Sequence, residues 1–71
     1  MARYTVVAWG NEQGYNGSIG TDNIDIDYLV ETMTNHIGEF PDHILILENG
    51  QDSDGPMVID HFMPDREFYQ L

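Results

Sequence analysis

The chain has no cysteine and no lysine. Without cysteine there is no disulfide framework and no thiolate zinc site. Its only cations of fixed charge are Arg3 and Arg66. Direct nucleic-acid binding needs a basic patch to neutralise phosphates, so that class is excluded. Adsorption to an anionic membrane is disfavoured for the same reason. Long apolar runs are missing too. The longest aliphatic run is Ile44 to Leu47, far short of a membrane span, and Val6 to Trp9 is too short for a signal peptide. A cytoplasmic protein is therefore expected. Candidate nucleophiles are scarce: the serines are Ser18 and Ser53, and Ser53 stands between Asp52 and Asp54, whose negative field opposes an alkoxide. The chain is expected not to be an enzyme and to carry no cofactor.

What is present is acid and a moderate apolar core. Thirteen Asp and Glu face the two Arg, for a formal charge of −11 over 71 residues. Hydrophobic residues make up 41%, which separates the chain from acidic disordered sequences. This length supports one domain, residues 1–71, with one modest core.

The stretch from Arg3 to Trp9 is β-branched and aromatic and stops at Gly10, so it reads as a strand. Four glycines fall between Gly10 and Gly20, and Asn16-Gly17 suits a type I′ hairpin turn. A second short strand around Ser18 and Ile19, or a glycine-rich loop, follows. Ile26, Leu29, Val30, Met33 and Ile37 recur on one helical face, which predicts a helix over 26–37 packed through Leu29, Val30, Met33 and Ile37. Asp25 is its expected N-cap, Gly38 its C′ residue, and Pro41 forbids resumption.

His43 to Glu48 and Pro56 to Phe62 read as two more strands around a turn-rich 49–55 segment. A symmetric hairpin pairs Leu47 with Met57, Leu45 with Ile59 and His43 with His61. That set is the more uniformly apolar, so it is expected to face the helix. The tail from Met63 is expected to pack as a strand or turn. The fold class is α+β: one helix on a small, mostly antiparallel sheet of three to four strands, in the order β(β)αββ.

Two arrangements invite a metal reading. Asp52-Ser53-Asp54-Gly55 contains part of a calcium-loop pattern, but residue 50 is Gly and residue 61 is His where further ligands belong. A solvated turn is the reading adopted. His43 and His61, flanked by Asp42 and Asp60, can face one another across the hairpin. Two imidazoles fall short of the four ligands of a structural zinc site, so no metal is expected.

The carboxylates are the main signal. Asp22, Asp25, Asp27 and Glu31 fall at one end and along one side of the helix. Asp27 and Glu31 are one turn apart, about 5–6 Å between Cβ atoms. Phosphates of one DNA strand advance about 3.4 Å per nucleotide along the axis, so the row approximates a nucleic-acid charge repeat. Asp52 and Asp54 supply a second acidic pair. Tyr15 and Tyr28 are candidate apolar anchors for a partner, whereas Trp9 ends a strand and is read as core.

By size, charge, missing lysine and this acidic row, the chain resembles the small acidic nucleic-acid mimics encoded by phages, the anti-CRISPR and anti-restriction class. The resemblance is one of composition, and no family motif is carried over. It implies an inhibitor that sits in an Arg/Lys groove of a nucleic-acid-processing complex, a CRISPR effector foremost, in the cytoplasm of an infected cell. The expected partner is thus a basic protein, and the expected state a monomer or homodimer. Two other readings stand beside it. One is halophile adaptation, in which the acidity says nothing of a partner. The other is a small binding or assembly module that uses an exposed strand edge.

Overall fold

Alternation along the first strand, β1 (Tyr4–Trp9), sends Val6 and Ala8 to one side, where both are fully buried. The computed structural model describes residues 2–10, 16–50 and 55–69. The elements that follow are β2 (Asn16–Thr21), α1 (Ile26–Ile37), β3 (His43–Glu48), β4 (Met57–Phe62) and a one-turn helix α2 (Arg66–Tyr69). The strands form one sheet in the order β2-β1-β3-β4, with every neighbouring pair antiparallel. The architecture is α+β, one main helix on a four-stranded sheet. No described helix is long and apolar enough to cross a membrane.

The core lies between α1 and the sheet. Leu29, Val30 and Met33 come down from α1 onto Val6, Ala8, Ile44 and Ile46, with Phe40 closing one side. Ile37 is half-buried at the margin, as the periodicity implies, whereas Ile26 remains 48% exposed and is not a core residue. Helix α1 ends where expected. Gly38 takes a φ of 83°, a left-handed conformation natural to glycine, and its N–H donates to the Thr34 carbonyl at 2.9 Å. At the other end Asp25 occupies the N-cap position, but its carboxylate caps nothing. Its backbone N–H instead donates to Asn23 Oδ1 at 2.9 Å, so the turn before the helix is organised by Asn23.

Three other expectations are corrected. Asn16 and Gly17 do not form a turn: they pair with Trp9 and Ala8 inside β2. Gly17 serves a different purpose. A Cβ there would lie 2.6 Å from His36 Cδ2 and 2.7 Å from Ile37 Cγ2, so its missing side chain lets the end of α1 approach β2.

The hairpin of β3 and β4 is not symmetric. Ile46 pairs with Asp60 while Leu47 pairs with Val58, which leaves Ile59 as an extra residue at a bulge. His43 is consequently not paired with His61, whose partner is Leu45.

The face toward the helix is also the opposite of the one expected. Ile44 and Ile46 are buried, opposite Ala8 and Val6 of β1, while Leu45 and Leu47 lie on the outer face and are half-buried. The segment His43–Glu48 is apolar at both parities, so its own pattern cannot select a face; pairing with β1 does. Of the two forms expected for the tail, strand or turn, it takes the turn, as the single helical turn α2. Asp65 Oδ1 accepts the Glu67 N–H at 2.9 Å and thereby starts that turn.

Candidate protein-binding surface

The acidic side of α1 meets α2 to form an open groove of about 570 Å³, lined by Asp27, Val30, Glu31, Thr34, Asn35, Phe68 and Tyr69. Helical spacing explains one wall, since residues 27, 30, 31 and 34 recur at intervals of three and four. Tertiary packing makes the other. The Tyr69 ring packs against buried Phe40, with centroids 6.0 Å apart, and its hydroxyl donates to Asp27 Oδ1 at 3.0 Å. Phe68 meets Tyr69 edge to face at 5.0 Å and is itself 72% exposed. Arg66 does not reach the acids of α1; its guanidinium lies 5.2 Å from the centre of the Phe40 ring.

Electrostatically the surface is unbalanced. Arg3 pairs with Glu48 at 3.1 Å, largely in solvent. Asp25, Asp27 and Glu31 are exposed, and no described cation bridges any of them. The Tyr69 phenol responds to this environment. Its pKa is raised above the ordinary 10.0, first by partial burial, then by its hydrogen bond to Asp27 and the negative charge of Asp27 and Asp25.

The structure brings only some of the sequence-derived site residues together. Asp27 and Glu31 share the groove, and Asp25 stands beside it at the head of α1. Asp22 is exposed but occupied elsewhere: its Oδ1 accepts the Arg3 N–H at 2.7 Å and ties the end of β2 to the start of β1. Tyr28 is exposed on α1 and does not line the groove. Tyr15, Asp52 and Asp54 lie outside the described residues. Phe68, Tyr69, Thr34 and Asn35 were not identified from the sequence. Thr34 and Asn35 were open to helical spacing, but nothing local announces that the tail returns to α1.

A groove with two carboxylates on one wall and an exposed aromatic on the other suits a cationic, partly apolar side chain, a guanidinium above all. No protein-family model, no curated protein and no solved structure matches this chain.

Proposed function

We propose that this protein is an acidic inhibitor that occupies the Arg/Lys groove of a nucleic-acid-processing complex, a CRISPR effector being the first target to try. One observation carries the reading: Asp25, Asp27 and Glu31 form an exposed acidic ridge without a described cationic partner, beside the solvent-facing Phe68. Self-repulsion at this charge density opposes the folded state, and a basic partner relieves it. The acids steer encounter, and an aromatic at the ridge supplies the contact that charge alone does not make selective.

The test is competition. Target DNA or RNA and this protein should exclude one another on the same effector. Reversing Asp27 and Glu31 together to Lys should weaken binding far more than reversing Glu39 and Asp42, with the fold of each variant checked by circular dichroism. Simultaneous binding at unchanged affinity would overturn groove occlusion.

A second reading is favoured by β4. It is an edge strand, and Met57, Val58 and Ile59 on it are all exposed. Such an edge supports assembly by strand addition. A dimer in sedimentation that Val58→Lys dissolves would select this reading over occlusion.

A further inference from the structure

On the sheet face away from α1, three rings meet: Trp9 at the end of β1, His43 at the start of β3 and His61 near the end of β4. Trp9 and His43 are directly opposite in the β1–β3 ladder, and His61 lies one diagonal step away. Diagonal neighbours are within reach of aromatic side chains. His43 Nδ1 and His61 Nε2 are 3.3 Å apart, in rings whose planes differ by 12° and whose centroids are 5.4 Å apart. With nitrogen facing nitrogen at that spacing, the imidazoles lie edge to edge. The Trp9 indole runs parallel to both within 13–14°, at centroid distances of 5.0 and 5.9 Å.

We propose that His43 Nδ1 and His61 Nε2 form a two-imidazole site for a divalent transition-metal ion of the copper, nickel and zinc group. The distance carries the argument. A zinc ion with metal–nitrogen bonds of about 2.0–2.1 Å and tetrahedral angles holds two ligand nitrogens about 3.3–3.4 Å apart, which is the separation already present, and the 90° angles of copper or nickel need about 2.8–3.0 Å, a closure of about 0.3–0.5 Å. Little backbone movement is then needed to load it. Loading requires the form of each ring that carries its one N–H on the nitrogen away from the other ring, so that His43 Nδ1 and His61 Nε2 each present a lone pair to the ion.

Imidazole selects these metals over magnesium and calcium, which take oxygen ligands. The −11 charge raises the local concentration of any divalent cation without choosing among them. No third His, Asp or Glu among the described residues completes a cluster. The described residues thus supply two donors, and the remaining positions on the ion go to further donors or to water. This site is independent of the acidic groove on the opposite side of the sheet.

Trp9 is the sole tryptophan and reports directly on the site. Titrating Cu²⁺ into the intact protein should quench Trp9 fluorescence with an endpoint at one equivalent. Magnesium at equal ionic strength should leave it unchanged. His43→Gln and His61→Gln should each raise the midpoint at least ten-fold, while His36→Gln, which alters α1, should not. In the unaltered protein, Cu²⁺ should broaden the ring proton resonances of His43 and His61 before those of His36. An unchanged midpoint in His61→Gln, equal quenching by magnesium, or earliest broadening at His36 would overturn the proposal. The resonance experiment decides the matter even if a variant fails to fold.

Discussion

Tyr69 and Asp27 are 42 residues apart in sequence, yet the tyrosine hydroxyl donates to the aspartate at 3.0 Å. This bond ties α2 to the acidic side of α1 and holds the groove between them in shape. It also places a weakly acidic phenol in a field of carboxylates, and a pH dependence follows.

Because the Tyr69 pKa is raised on folding, the folded protein favours the neutral phenol. Its stabilising contribution is complete below the unfolded value near 10 and is lost as pH rises above it. Tyr69→Phe keeps the ring against Phe40 and removes only the hydroxyl. The difference in tyrosinate absorbance between the two proteins should show Tyr69 ionising above pH 10. The variant should lack the corresponding part of the alkaline loss in stability. A step at or below pH 10 would show that Asp27 does not hold the proton.

Burial on the two faces of β3 sets a contrast between neighbours. Ile44→Ala should cost about 2–5 kcal/mol, because the side chain is fully buried against Ala8 and the residues of α1. Leu29→Ala should fall in the same range. Leu45→Ala, on the outer face and half-buried, should cost clearly less. Chemical denaturation measures all three, and equal losses at Ile44 and Leu45 would contradict the facing described above.

Gly17→Ala should destabilise by about 1–3 kcal/mol, since the added methyl meets Ile37 and His36 below 3 Å. The exposed His36 ring can swing aside. Ile37 Cγ2, on a β-branched stem within the helix, cannot. Gly20→Ala is the internal control: its new Cβ would be 3.1 Å from the Ala2 side chain, and it should be tolerated better. Thermal melts of the two variants check the ranking.

Sodium chloride should raise the melting temperature at pH 7. Thirteen Asp and Glu face two Arg in the sequence, so screening relieves more repulsion than attraction. A melting temperature independent of salt would show that the acids are arranged without net repulsion. A fold present only in molar salt would favour halophile adaptation.

Local sequence determined much of this protein. The spacing of Leu29, Val30, Met33 and Ile37, with Gly38 and Pro41 beyond, defines α1 and its C-terminal end, because helical periodicity and a left-handed glycine act within a few residues. The β-branched and aliphatic content of Tyr4–Trp9 and His43–Glu48 likewise identifies two strands. Placement of Asp27 and Glu31 on one helical side follows from the same periodicity.

Tertiary structure decided what local pattern leaves degenerate. An apolar strand such as His43–Glu48 can bury either face, and only its pairing with Val6 and Ala8 chooses Ile44 and Ile46. A bulge at Ile59 shifts the hairpin register, and a one-residue slip has no local signature where both strands are apolar. Gly17 reads as a turn former until the approach of Ile37 gives it another reason to lack a side chain. The groove needs Tyr69 to return to Asp27, and the imidazole pair needs three strands to converge on Trp9. Both depend on contacts between residues far apart in the chain, which periodicity within one element does not encode.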